Sequence, residues 1–503
     1  MAICSTLPLL TLPYGDTWDT PVRWVLAFKA QPTANPLGES LSQQFSEFVA
    51  TVFSQHNESR KVTLKVLALS VDSIMPVFGP AWHLFSFLIR AFTILIMAFP
   101  LFGTLRKSSS DSVFKNKSHF LFYLIVGYGL FVYACGPANL WNGLWEVQTS
   151  FFLGILFAML AISFFASMVF RFSSPNAING QSDDGSFQGS VEFWSSNYAL
   201  SMYSVVFSWL SIFSFSGNIA LSVVCTVLLF CGIVFNFKQK ANISFLLRSP
   251  SFLWSVSSLF LIYLSVLFFF VGWVSPPHHD SLRGGLSLEY VALFLGNFYQ
   301  TITNSSLFSY FIAFSPPVLI LLAGIYFVKR FNCCPKVFLI YSAQLIFLLG
   351  LACASSIGRS GAGVDYALET RYNSMSILYG CITLFLLFYL VSAPGLSNSF
   401  RVFFSALSAL TLVAGTAANI EWYDIIYSKR VRLQRAEKCF KDSYLSPSIF
   451  KNMPDSERRY FCSRGFYPNY ESLGAWIKVH ACSDDVLSQS RTAEKICEQL
   501  NEL

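Results

Sequence analysis

Ten runs of roughly 20 apolar residues, set apart by short polar breaks, occupy residues 81–420, and each has the length a helix needs to cross a hydrocarbon core of about 30 Å. They lie near 81–104, 119–136, 149–170, 198–216, 218–237, 250–274, 305–328, 337–354, 373–392 and 402–420. Lipid offers no partner to a bare peptide group, so such runs must be helices or strands of a closed barrel. Unbroken apolar stretches exclude the alternating pattern of barrel strands. The composition agrees: 54% of the chain is apolar, 17% aromatic and only 12% charged, about half the charge of an ordinary soluble domain. Fifty-three Phe in 503 residues do not fit inside one water-soluble core. A soluble enzyme, a coiled coil, a disordered chain and a small disulfide scaffold are excluded. Charge is segregated as well. Residues 81–420 carry 25 of the 61 charged side chains, and residues 421–503 carry another 25 in 83 positions.

Lys and Arg set the expected sidedness. Arg106, Lys107, Lys115 and Lys117 fill one loop, Lys238, Lys240 and Arg248 a second, and Lys329, Arg330 and Lys336 a third. These three are expected to be cytoplasmic, which places 137–148, 275–304, 355–372 and the tail from 421 outside. The 171–197 loop fits less well, with Asp183, Asp184 and Glu192 against Arg171. For 14–80 to be outside, a span must precede it, and Met1–Pro13 supplies only the outer half of one. Segment 62–78 carries Lys65 and Asp72 and reads as a helix on the outer membrane surface. The expected organisation is an all-α integral membrane protein of about 11 transmembrane helices. It comprises a partial first helix (1–13), an extracytoplasmic loop with surface helices (14–80), a transmembrane body (81–420) and a small soluble extracytoplasmic tail (421–503).

Four polar clusters fall on the same expected face. Tyr14-Gly15-Asp16-Thr17-Trp18-Asp19 sets two carboxylates three residues apart, suited to a general base and its charge partner, or else to a helix cap with an interfacial Trp. Gln55-His56-Asn57-Glu58-Ser59-Arg60 groups His, Glu and Arg, which could bind phosphate or sugar hydroxyls, or form a solvated turn. Asn139 to Gln148 brings Trp141, Trp145, Glu146 and Gln148 to the start of an apolar span. A carboxylate there is costly unless paired or wet, and the Trp rings could stack on a sugar or belong to the interfacial belt. Gly358-Arg359-Ser360-Gly361-Ala362-Gly363, followed by Arg371-Tyr372, joins small residues that let backbone approach a ligand to two Arg that can hold phosphate. The alternative is a flexible loop meeting lipid headgroups. Pro276-Pro277-His278-His279-Asp280 reads as a turn, and mid-span Arg90 as snorkelling or paired inside the bundle, with Asp72 as a candidate partner. Cys439, Cys462, Cys482 and Cys497 in the tail allow two disulfides in three connectivities. The net charge of +7 does not point to nucleic acid, because the tail is nearly balanced at 13 basic to 12 acidic residues.

The order of these motifs resembles the GT-C class of multi-pass glycosyltransferases, in particular little-characterised bacterial members. An acidic D-x-W-D follows the first span, QHNE-x-R closes the first outer loop, Gly143 to Gln148 leads into a span, and a late G-R-x-G-x-G…R-Y loop precedes the final span. Thr17 and Ser59 stand where many relatives have a second acid and a second His. The resemblance implies transfer of a sugar from a polyprenyl-phosphate donor to a cell-surface glycan or lipid-linked acceptor on the outer membrane face. It implies a bacterial inner membrane, and a catalytic acid at Asp16 with Asp19 beside it. Arg359, Arg371 and Arg60 are expected at the donor phosphate, and His56, Glu58, Trp145, Glu146 and Gln148 at sugar or acceptor. No cofactor is required, though a divalent metal could sit at Asp16 and Asp19, and no nucleic-acid partner is expected. A transporter or flippase would instead carry polar groups near mid-membrane, and a polysaccharide polymerase or ligase would share the lipid-linked substrate.

Overall fold

The computed structural model describes residues 46, 49–50, 52–54, 61–72, 80–107, 112–139, 148–173, 188–238, 243–274, 282–303, 305–331, 335–393 and 396–444. Among them there is no strand. The helices are α1 (Val62–Asp72), α2 (Pro80–Lys107), α3 (Ser112–Gly129), α4 (Thr149–Ser173), α5 (Gln188–Ile212), α6 (Ala220–Lys238), α7 (Ile243–Arg248), α8 (Pro250–Phe270), α9 (Leu288–Gly296), α10 (Ser306–Phe331), α11 (Lys336–Arg359), α12 (Asn373–Ser392) and α13 (Asn398–Tyr444).

Eight of these, α2, α4, α6, α8, α10, α11, α12 and α13, contain stretches long and apolar enough to cross a membrane, which marks a multi-pass membrane protein. Two further expected spans, 119–136 and 198–216, are also helical over most of their length. The run at 119–136 lies on α3, which begins at Ser112 and continues past Gly129 into a π turn, Leu130–Ala134. The helix that covers 198–212, α5, is long enough but serine-rich. The expected first span, 1–13, lies outside the described residues.

The chain divides into two units, residues 1–88, 140–151 and 423–503 in one, and 89–139 and 152–422 in the other. In the first, α1 has 11 residues, about 16 Å and too short to span. Lys65 is fully buried on it and donates from Nζ to the carbonyl and the hydroxyl of Ser54, each at 2.6 Å.

The second unit contains the helical bundle. Its helices pack through small polar residues, as expected where lipid removes the hydrophobic drive for helices to associate. Ser201, Ser204, Ser208 and Ser211 form a buried stripe on α5, and Ser251, Ser255, Ser258 and Ser265 another on α8. Ser201 and Ser258 share a hydrogen bond of 2.7 Å between these helices, and Ser211 donates to the Gly154 carbonyl of α4 at 2.8 Å. The same serines that let α5 pack closely make it too polar to read as a span. Large apolar side chains face outward elsewhere, such as Phe99 at 76% and Leu307 at 80% exposure, tolerable only against lipid. Helix α12 is the centre, with every residue from Asn373 to Leu390 buried. Helix α13 runs unbroken from Asn398 to Tyr444, past the expected tail boundary at 421. The tail beyond 444, with Cys462, Cys482 and Cys497, lies outside the described residues.

One element was not anticipated. Helix α9 lies inside the stretch assigned to the 275–304 outer loop, and all of Tyr290 to Gly296 is buried. Nine residues rise only about 14 Å, so α9 cannot span. It supports the segment joining α11 to α12.

Candidate functional site

Helix α11 ends at Arg359, where Ser360, Gly361, Ala362 and Gly363 replace helix formers with small residues. Gly363 has φ +102° and ψ 157°, a conformation open to glycine and costly to other residues. Three successive 3-10 turns follow, Ser360–Ala362, Val364–Leu368 and Thr370–Tyr372. They are closed by backbone bonds from Gly363 to Ser360 at 3.0 Å, Tyr366 to Gly363 at 3.3 Å and Tyr372 to Glu369 at 2.9 Å. Helix α12 starts at once at Asn373. The expected open loop is therefore a compact chain of turns between two membrane-length helices.

That curl brings Arg359 and Arg371 to one hydroxyl. Arg359 Nη1 donates to Tyr366 Oη at 3.2 Å, and Arg371 Nη2 donates to the same oxygen at 2.5 Å. The guanidinium carbons stand 5.8 and 5.2 Å from the Tyr366 ring centre, and Arg371 also lies 5.2 Å from the Tyr372 ring centre. Glu369 pairs with Arg371 at 2.5 Å, both side chains being half-buried. Arg371 Nε is buried and has no hydrogen-bond partner among the described residues. Planar guanidinium groups held by stacking, with an N–H still unmet, suit a bidentate oxyanion such as phosphate.

Two neighbouring segments fix this geometry. From below, α9 and the turn after it bind the 3-10 chain. Asn297 Nδ2 donates to the carbonyls of Ala367 and Glu369 at 3.2 and 2.9 Å, and the Phe294 and Tyr372 rings lie 4.7 Å apart. Ser376 of α12 donates to the Leu295 carbonyl at 2.6 Å and accepts from the Phe298 amide at 3.1 Å. Tyr290 Oη meets Ser355 Oγ at 3.2 Å. Burial pushes the Tyr290 phenol above its usual range despite the opposing charge of Arg359, so it stays protonated.

On the other side, residues 282–287 dock against the end of α11. Gly284 donates to the Ile357 carbonyl at 3.0 Å, Ser287 N to Ser356 Oγ at 2.9 Å, and Ser360 Oγ to the Gly285 carbonyl at 2.8 Å. A Cβ on Gly361 would collide with the Arg283 carbonyl, and one on Gly284 with Ser360 Oγ. The small residues were expected to admit a ligand to the backbone; at Gly361 the group admitted is the chain's own Arg283 backbone. A Cβ on Gly358 or Gly363 would meet nothing within 4 Å.

Deeper in the same unit lies a second polar cluster. Arg90 of α2 is 1% exposed and donates to the Asn139 carbonyl at 2.9 Å, with its guanidinium 5.2 Å from the Phe152 ring centre. Of the two sequence readings for Arg90, pairing inside the bundle holds and snorkelling does not. The Asn139 side chain donates to the Tyr133 carbonyl at 2.6 Å and accepts from Ser374 Oγ. Asn373 and the Tyr133 hydroxyl are buried with no hydrogen-bond partner among the described residues.

Of the expected site residues, Arg359 and Arg371 meet at the Tyr366 hydroxyl. Gln148 is buried at the start of α4, in the other unit. Asp16, Asp19, His56, Glu58, Arg60, Trp145 and Glu146 lie outside the described residues, as does the side chain of Asp72. Among the described residues no group of His, Cys, Asp and Glu is placed to hold a metal. Sequence reasoning missed Tyr366, Glu369, Tyr290 and Asn297. The stretch Asp365 to Tyr372, with five charged or aromatic residues beyond the glycines, held the signal for the first two. The isolated Asn297 in an apolar run held it for the last. Comparison with family models, curated proteins and solved structures finds no match to this chain.

Proposed function

We propose that the protein is a GT-C-type glycosyltransferase that moves a sugar from a polyprenyl-phosphate donor to a glycan or lipid-linked acceptor. The observation that supports this reading most is the convergence of Arg359 and Arg371 on Tyr366 at the junction of α11 and α12. A half-buried cationic site at the end of two membrane-length helices suits a phosphate whose hydrocarbon chain stays in lipid. Two guanidinium groups set against one carboxylate, Glu369, leave a net positive charge for that phosphate. In this proposal the site faces the outside of a bacterial inner membrane, as the basic loops at the opposite helix ends suggest.

The reaction needs few parts. The acceptor hydroxyl oxygen attacks the anomeric carbon, its proton passes to the Asp16 carboxylate, and the bond from that carbon to the phosphate oxygen breaks. The phosphate keeps the bonding electrons, and Arg359 and Arg371 offset the charge that builds there. In-line displacement inverts the anomeric centre. Asp19 supports Asp16, Arg60 adds a third phosphate contact, and His56, Glu58, Trp145, Glu146 and Gln148 orient sugar or acceptor.

Transport is the less favoured reading. The deep polar group it would use, Arg90, is enclosed at 1% exposure instead of lining an open path. The test is sugar transfer from a short-chain polyprenyl-phosphate sugar by purified protein in proteoliposomes. Asp16→Asn is expected to abolish transfer with expression and membrane insertion unchanged. Full transfer activity in that variant would remove Asp16 from its role.

A further inference from the structure

At the other end of α11, a groove of about 490 Å³ opens between α6, α10 and α11. We infer that it holds one acyl chain of an anionic membrane phospholipid, with the lipid phosphate on Lys329 and an ester carbonyl on the Ser342 hydroxyl. The walls are apolar, and Leu321 and Ile325, at 63% and 46% exposure, form a lip that faces the surrounding lipid. Two polar groups interrupt this surface, and neither has a protein partner among the described residues.

Lys329 is exposed at the end of α10 and makes no hydrogen bond or ion pair with any described residue. Arg330 beside it is also exposed. A basic mouth on a groove between membrane helices is the setting that attracts anionic headgroups. Ser342 is 6% exposed, and its hydroxyl has no hydrogen-bond partner. Several other small hydroxyls of the bundle are paired. Ser163, Ser208, Ser255 and Thr383 each donate to the carbonyl four residues earlier, at 2.7 to 2.8 Å. Leaving a buried hydroxyl unmet is costly, and an acceptor brought by a ligand would relieve that cost. Ser342 lies six residues along α11 from its first residue, Lys336, about 9 Å further along the groove wall.

A fatty acid would bring the charge without the ester, and a free phosphate would bring no chain for the groove. A phospholipid satisfies the cation, the hydroxyl and the apolar walls together. Arg359 is 20 residues along α11 from Leu339 of the groove, about 30 Å away. The groove is therefore separate from the arginine pair and does not depend on the sugar-transfer reading.

Gly324 offers a way to fill the groove. A Cβ there would meet only the Phe338 ring, at 3.8 Å, so a longer side chain enters the groove without striking backbone. The full chain is reconstituted in nanodiscs of phosphatidylcholine with a graded fraction of phosphatidylglycerol, then released and analysed by native mass spectrometry for retained lipid. Wild-type protein is expected to retain one phosphatidylglycerol with about a fivefold preference over phosphatidylcholine, the worth of one cation near an anionic headgroup. Gly324→Leu is expected to lose the retained lipid, and Lys329→Gln to keep a lipid but lose the preference. Wild-type protein without retained lipid, or Lys329→Gln with the full preference, would overturn the assignment. Lys329 is exposed, so its substitution leaves packing intact and decides the matter even where Gly324→Leu fails to fold.

Discussion

Arg90 and Arg371 are the same side chain put to different uses within one unit. Arg90 is sealed at 1% exposure by a backbone carbonyl and a ring face. Arg371 is half-buried beside one carboxylate and one phenol, with Nε unmet. A buried guanidinium surrounded by fixed dipoles is a structural strut, since any exchange of its partners exposes uncompensated polar groups. A half-buried guanidinium at a helix junction, sharing one phenol with a second arginine, keeps part of its charge open to an anion, which is the role proposed for it. Asn139 links the two settings, because it accepts from Ser374, three residues after Arg371.

The largest expected effect falls on the strut. Arg90→Met leaves the Asn139 carbonyl unpaired and is expected to cost about 3 kcal/mol, measured by thermal unfolding in detergent. Unchanged stability with altered transfer would reverse the contrast and make Arg90 the functional cation. Next comes the docked segment beside the site. Gly361→Ala drives a methyl into the Arg283 backbone and is expected to cost about 2 kcal/mol. Gly358→Ala, in open space on α11, should be neutral or slightly stabilising. Equal effects of the two would mean that residues 282–285 are not held against the turn.

Arg371→Ala is expected to raise the apparent KM for the lipid-linked donor about tenfold, while stability changes by less than about 1 kcal/mol because its ion pair is only half-buried. A donor dependence equal to wild type would remove it from the site. The smallest effect belongs to Tyr366→Phe, which keeps the ring under both arginines and removes the shared acceptor. A two- to threefold rise in donor KM, about half a kcal/mol, is the expected result. A loss larger than that of Arg371→Ala would make the phenol the primary ligand group.

The membrane-length helices were legible because apolar length is a local property, and eight of the ten expected runs from 81–104 to 402–420 meet the test of length and apolarity. The exceptions have local reasons. Serines that tighten the packing of α5 dilute its apolar character, and α3 opens on the mostly polar stretch Ser112–Ser118 and passes into a π turn at Leu130–Ala134. The arginine pair was legible from small residues and two Arg near one helix end. Its true centre, Tyr366, was not, because nothing in sequence distance says that residues 359, 366 and 371 meet at one oxygen. Helix α9 was hidden for a similar reason: a nine-residue, mostly apolar stretch fits a loop, a strand or a buried helix equally well.

The sequence by itself determined that this chain crosses a membrane as helices, where its charges gather, and that arginines stand at one helix end, since length, hydropathy and residue type act locally. Tertiary structure alone decided that α12 is central and α13 peripheral, that Gly361 receives the chain's own backbone, and that one arginine is sealed while another keeps a free N–H. Those outcomes depend on which surfaces meet, and helices of similar apolarity carry no mark of their neighbours until they pack.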